Sequence, residues 1–353
     1  MRKVLILMLV FAAFGFAAQT NAEGDVLLAS PYKVNTMAAV AAGIEGFDVG
    51  AKLSAEVIRD LWVGSDFDGD GNKEVMLASY STSGRAYVYE IDGDNSATLF
   101  FDTGEMGGGY SSSTRHVAYG DLDGNGMQEL LVSVNATDDT KGGIWAYEYD
   151  TVGDSMRAPV QLFKALVTAD RWYCENFTVG DVDQDGVEEI FFGNNGASSA
   201  NDNFYIASVD SGSFAEGYIR TVIEFTHGKS SSTFPIGGSP YGGVIADLNG
   251  DGMNEVLFAP WDHGAMLIVE NDSADSYTAV NYIQTDLDRE DDFAFWDFLP
   301  YDLDGDGRDE AYLSMYSAGR LYVTTCPEGT ALADMTTANV HTIDDQGASG
   351  GVA

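Results

Sequence analysis

The sequence is poor in cysteine, proline, histidine and positive charge. Its two cysteines, Cys174 and Cys326, fall in different parts of a 353-residue chain. A disulfide framework is therefore not what holds the fold together. Seven prolines exclude a proline-rich stalk. Lys and Arg number 17 against 56 Asp and Glu, for a net charge of −39 and a pI of about 4.1. Such a chain repels phosphate backbones and anionic lipid, which excludes nucleic acid and points to cations or basic surfaces as partners. No sustained apolar stripe of helical period is present, so a helical repeat is excluded as well. What is present is enough apolar material for a large core, 45% of the residues.

The N-terminus carries Arg2 and Lys3, then an apolar stretch from Val4 to Ala18, then Thr20-Asn21-Ala22. That order predicts a signal peptide over 1–22, cleaved after Ala22, and a secreted or cell-surface protein. The stretch is about fifteen residues, short of the roughly 20 a membrane span needs, so no membrane insertion is expected after its removal. No cysteine lies near it to take a lipid anchor. Residues 23–54 read as a lead-in that could supply a closing strand.

The rest, 55–353, is repetitive. One nine-residue pattern recurs five times, beginning at Asp66, Asp121, Asp181, Asp247 and Asp302, with spacings of 55, 60, 66 and 55 residues. Positions 1, 3 and 5 are Asp66, Asp68 and Asp70; Asp121, Asp123 and Asn125; Asp181, Asp183 and Asp185; Asp247, Asn249 and Asp251; Asp302, Asp304 and Asp306. Position 6 is always Gly, and position 9 is Glu74, Glu129, Glu189, Glu255 or Glu310. Calcium takes six to eight oxygens, mostly carboxylate and carbonyl. Three side-chain oxygens can converge if the backbone curls around the ion, and the glycine supplies the turn. The backbone carbonyls of Asn72, Met127, Val187, Met253 and Arg308 at position 7, and the closing Glu, complete a shell. One Asp-Gly cluster is an ordinary turn; five with the same Gly and Glu are a metal-site pattern. The loops hold no His or Cys, which disfavours zinc, and magnesium prefers fewer protein ligands. About five Ca²⁺ ions are expected, bound by 18 carboxylates. Loops 2 and 4, with Asn125 and Asn249, are expected to be the weakest.

Position 2 is apolar in every loop (Phe67, Leu122, Val182, Leu248, Leu303) and is expected to turn inward beneath the ion. Each closing Glu leads into an apolar run, such as Leu130-Leu-Val-Ser or Ile190-Phe-Phe-Gly, that suits a strand buried on both faces. A second strand follows, as in Gly84-Arg-Ala-Tyr-Val-Tyr-Glu90, with a third piece further on in some repeats and a fourth entering the next loop. Four short strands per unit of about 60 residues predict an all-β β-propeller, with a linear solenoid of sheets as the alternative.

Asp-x-Asp-x-Asp-Gly-x-x-Glu followed by an apolar strand resembles the FG-GAP or VCBS repeat, over roughly 55–353. The resemblance implies calcium-binding blades like those of integrin α-chains, each ion lying between a blade's first and second strands. The chain ends Gly350-Gly351-Val352-Ala353, similar to Gly242-Gly243-Val244 ahead of loop 4. A sixth loop just past 353 would continue the spacing, so a longer parent chain is expected.

The segments outside the loops are where a binding face is expected. Candidate contact residues are Tyr110, Trp172, Tyr173, Phe234, Tyr241, Trp261, His263 and Trp296. Aromatic rings of this kind suit glycan or extracellular protein recognition. The leading functional expectation is thus a binding or adhesion module in which calcium is structural. Propellers also host polysaccharide lyases and hydrolases, but no two of the four histidines form a motif. Gly347-Ala-Ser349-Gly-Gly351 lacks the strand–turn–helix a nucleophile elbow needs. A purely structural matrix component is the third reading.

Overall fold

In a computed structural model of the chain, the described residues are 18–20, 26–28 and 58–345, without 80–83, 94–95, 108–113, 137–140, 164–171, 197–201, 263, 286–294 and 316–319. Strands β1 (Ala18–Thr20) and β2 (Val26–Leu28) pair antiparallel. The rest of the expected signal peptide over 1–22 and of the expected 23–54 lead-in lies outside the described residues, as do Tyr110, His263 and the 346–353 tail.

The main unit is a series of four-stranded antiparallel blades whose strands follow one another in sequence order. Blade 1 is β3 (Ile58–Ser65), β4 (Lys73–Ser79), β5 (Arg85–Gly93) and β6 (Ser96–Asp102). Blade 2 is β7 (Thr114–Gly120), β8 (Glu129–Val134) and β9 (Gly143–Asp150), with its outer strand broken into β10 (Ser155–Met156) and β11 (Val160–Leu162), both paired to β9. Blade 3 is β12 (Phe177–Gly180), β13 (Glu189–Asn194), β14 (Asn203–Ser213) and β15 (Tyr218–Gly228). Blade 4 is β16 (Pro240–Ala246), β17 (Glu255–Pro260), β18 (Ala265–Ser273) and β19 (Ser276–Gln284). Blade 5 is β20 (Phe295–Tyr301), β21 (Glu310–Met315), β22 (Arg320–Thr324) and β23 (Val340–Asp345). Two 3-10 turns precede β23, the second held by a capping box of Thr336 and Asn339. The five blades form a β-propeller. The first strands are neighbours in the order β3, β7, β12, β16, β20. Among the described residues no helix is long and apolar enough to cross a membrane.

The apolar runs after each closing Glu are second strands. In β8, β13 and β17 all six residues are buried, because each sheet is covered on both faces by its neighbours. The core accordingly sits between blades rather than within one. Phe67 and Tyr149 meet across blades 1 and 2, and Leu122 packs with Phe177 and Tyr205 across blades 2 and 3. Val182 packs with Val256 and Val269 across blades 3 and 4, and Leu248 with Leu313 and Tyr322 across blades 4 and 5.

This packing explains position 2 and corrects one expectation about it. Phe67, Leu122, Val182 and Leu248 are at most 2% exposed, each held against the following blade, whereas Leu303 is 55% exposed. Blade 5 has no following blade among the described residues, so Leu303 has nothing to turn against. At the other end, Leu61, Trp62 and Val63 of β3 are likewise exposed. Cys174 and Cys326 are buried free thiols.

Candidate functional site

All five Asp-rich loops lie between the first and second strands of their blades, and all five share one wiring. The position-1 aspartate accepts a hydrogen bond from the position-6 glycine N–H: Asp66 from Gly71, Asp121 from Gly126, Asp181 from Gly186, Asp247 from Gly252 and Asp302 from Gly307, at 2.8–3.2 Å. The position-3 side chain accepts from the position-5 N–H, and position 5 accepts from position 7, as in Asp185 N–H to Asp183 and Val187 N–H to Asp185. The closing glutamate reaches back, its Oε2 accepting from the position-2 N–H: Phe67, Leu122, Val182, Leu248 and Leu303 to Glu74, Glu129, Glu189, Glu255 and Glu310. The glycine has φ between +84° and +95° in every loop, where a Cβ is strained. Gln184, standing at position 4 where the other loops have Gly, adopts φ +60° as well.

The result is a concave set of oxygens. Ligand atoms of Asp66, Asp68 and Asp70, of Asp121, Asp123 and Glu129, of Asp181, Asp183, Asp185 and Glu189, and of Asp302, Asp304 and Asp306 lie within 4.8 Å of one another. Loop 4 forms no such group among the described residues. Its position 3 is Asn249, whose Nδ2 donates to Glu255 Oε1 at 3.3 Å. In loop 5 Arg308 pairs with Asp306 at 2.6 Å, a basic side chain already resting on one donor.

Sequence reasoning missed how the loops are joined to one another. Position 8 of one loop holds the start of the loop before it: Glu188 accepts from Asp121 N–H at 2.6 Å, and Asp309 from Asp247 N–H at 3.0 Å. The hairpin of the next blade also caps position 3. Asp123 accepts from Phe214 N–H at 2.9 Å, and Asp183 from Asp275 N–H at 2.6 Å. Gln184 adds a bond to the Gly252 carbonyl. Position 8 varies in type (Lys73, Gln128, Glu188, Asn254, Asp309), so no pattern flagged it.

The opposite ends of the first strands carry a different chemistry. Arg115 sits at the start of β7, five residues and about 17 Å of strand from Gly120. Its Nη1 lies 3.1 Å from Glu175, its Nη2 donates to Tyr173 Oη at 2.8 Å, and its guanidinium stands 5.0 Å from the Tyr173 ring centre. Arg59 reaches the same Glu175 at 3.2 Å. Tyr241, at the start of β16, packs against Trp261 with ring centres 5.1 Å apart. Tyr173, Tyr241 and Trp261 are half-buried.

The other proposed contact aromatics are distributed differently. Trp172 is a correction: it is 6% exposed, stacks near Phe192 at 5.8 Å and bridges Ala136, so it belongs to the core between blades 2 and 3. Phe234 has φ +48° and its carbonyl meets His227 Nε2. Trp296 lies in β20, and nothing further is described of its side chain.

Residues 66–132 match the family model described as the FG-GAP-like repeat. The loop wiring of that matched segment recurs in all five blades of the β-propeller. None of the curated proteins compared with it matches. Among solved structures, a lectin from Agrocybe aegerita described as recognising non-reducing terminal N-acetylglucosamine is 14% identical, with a TM-score of 0.49, covering 94% of this chain and 74% of the lectin. A rhamnogalacturonan lyase is 14% identical, with a TM-score of 0.36, covering 84% and 69%.

The Asp-rich loops concentrate buried negative charge. Burial first, then the neighbouring aspartates, pushes the closing glutamates up to about 7 for Glu74, 10 for Glu129, 9 for Glu189 and 8 for Glu255. The buried Oε1 atoms of Glu74 and Glu129 and Oδ1 of Asp181 have no hydrogen-bond partner. Buried carboxylate oxygens without partners are costly. An all-oxygen donor set with such atoms at its floor fits a hard divalent cation.

Proposed function

We propose that this propeller is an exported binding module, that calcium staples its FG-GAP loops, and that a glycan binds at the end of the blades opposite them. The single observation that carries the calcium part is the convergence of carboxylate oxygens in loops 2 and 3, where the buried Glu129 Oε1 and Asp181 Oδ1 have no hydrogen-bond partner. Asp66, Asp68, Asp70 and Glu74 would hold one ion, and the corresponding residues of the other loops the rest. The ion supplies positive charge where several carboxylates meet; the chain supplies the glycine turn and the reach-back glutamate that fix the donors. Calcium is structural in this reading, taking the role disulfides have in other secreted domains.

The ligand part is supported by Tyr173, Tyr241 and Trp261 around the Arg115–Glu175 pair. Flat rings cover sugar faces, and the fixed charges offer directional hydrogen bonds. The test is binding of the calcium-loaded protein to an array of glycans, with Trp261→Ala and Tyr241→Ala alongside. Saturable binding weakened about tenfold or more by either substitution is expected. Turnover of a bound polysaccharide would replace the binding module with an enzyme. Absence of both would leave the matrix component. Export is supported by the Arg2-Lys3, apolar and small-residue order of 1–22; exported protein whose N-terminus is not Glu23 would refute that cleavage.

A further inference from the structure

The second blade buries a carboxylate that the loop pattern does not contain. Glu148 lies on β9 directly opposite Glu129, the closing glutamate of loop 2. The two are 1% and 0% exposed. Like charges opposite each other on adjacent strands are destabilising, and burying both deepens the cost. Glu148 Oε2 accepts from Asn125 Nδ2 at 2.6 Å, so its carboxylate touches position 5 of the loop, where the aspartate is missing. Arg157 Nε rests against Glu148 Oε1 as an ion pair without hydrogen-bond alignment, and its Nη1 lies 3.5 Å from Asp150. Arg157 makes no ion pair with Glu129, whose Oε1 stays without a partner.

The arrangement recurs. Glu90 lies opposite Glu74 and Glu270 opposite Glu255, and Glu90 Oε1 is 3.4 Å from Asn72 Nδ2 at position 7 of loop 1. In blade 3 the third strand has Ser208 beyond the Ile190–Ala207 pair, and Glu224 of the outer strand binds its hydroxyl. In blade 5 the third strand has Thr325 beyond the Ala311–Thr324 pair.

We propose that Glu148 is a further carboxylate of the loop 2 cation site, returning the charge that Asn125 removes, and that Arg157 is the cation's built-in competitor for it. Glu270 stands at the same register position beside loop 4, where Asn249 removes a charge. The two loops with an asparagine then have four carboxylates each, the number in loop 5. This rests on the calcium reading above.

Arg157 makes the inference testable, because ligation and a structural salt bridge predict opposite signs. Equilibrium dialysis of the full chain against graded free calcium counts bound ions for the wild type, Glu148→Gln and Arg157→Met. Ligation predicts that Glu148→Gln needs about tenfold more calcium for one of the ions, and that Arg157→Met fills that ion at lower calcium than the wild type. A structural pair predicts weaker uptake in both variants, which would overturn the inference. So would a Glu148→Gln titration indistinguishable from that of a wild type that binds its ions. If Glu148→Gln does not fold, Arg157→Met alone decides by its sign. A wild type that binds no ion refutes the calcium reading and this inference with it.

Discussion

At the residue scale, the closing glutamates govern how the metal-free protein responds to pH. Each has a folded value above its ordinary 4.5: about 7 for Glu74, 8 for Glu255, 9 for Glu189 and 10 for Glu129. From about pH 4.5 to 7 the folded chain therefore holds protons that the unfolded chain has released. Stability must fall as pH rises through that window. We expect the melting temperature of calcium-free protein to drop between pH 5 and pH 8, and this slope to vanish or reverse in saturating calcium, where the ligands are deprotonated by the ion. A calcium-free melting temperature that rises over the same range would contradict the assignment. A second residue-scale expectation concerns Gly126. A Cβ there meets nothing within 4 Å, yet φ is +84°, so Gly126→Ala should cost about 1–2 kcal/mol in urea unfolding from backbone strain alone.

At the scale of the strand and loop, burial against the next blade decides which apolar residues matter. Leu248 and Leu303 occupy the same loop position, but only Leu248 is enclosed. Leu248→Ala is expected to cost about 2–5 kcal/mol and Leu303→Ala about 0.5 kcal/mol or less; equal losses in chemical denaturation would show that the inter-blade core is misplaced. The loops and second strands could be read from the sequence because their physics is local: a glycine, alternating acids and a run of apolar residues. Leu303 could not, since its environment depends on a neighbouring sheet. Trp172 misled for a related reason, looking like a loop aromatic while its ring lies between blades 2 and 3. Glu188 and Asp309 were invisible because inter-loop bonds leave no periodic trace. Glu90, Glu148 and Glu270 did leave one, each standing at or near the end of a third-strand apolar run, but their meaning appears only in the cross-strand register.

At the scale of the whole molecule, loops 2 to 5 are tied in series: Glu188 joins loop 3 to loop 2, Gln184 joins loop 3 to loop 4, and Asp309 joins loop 5 to loop 4. At about 5 mM calcium, sites with dissociation constants of roughly 10⁻⁴–10⁻³ M stabilise the fold by about 1–2 kcal/mol each. About five such sites sum to a sizeable share of the 5–15 kcal/mol net stability of a typical domain. Thermal unfolding in calcium and then in excess EGTA should differ by on the order of 10 °C, with about five ions counted per chain. No shift and no bound ion would reduce the FG-GAP loops to turns.

The two buried thiols have a consequence of a different kind. Cys174 and Cys326 are sealed inside, and burial holds both thiols above their ordinary range, so they stay protonated and unreactive. Thiolate chemistry at these two positions is thereby held back, and no disulfide between them takes part in the fold. On the calcium reading, its state would answer instead to an ion that can be withdrawn and returned by dilution, so the molecule would loosen and set again with the mineral content of its medium.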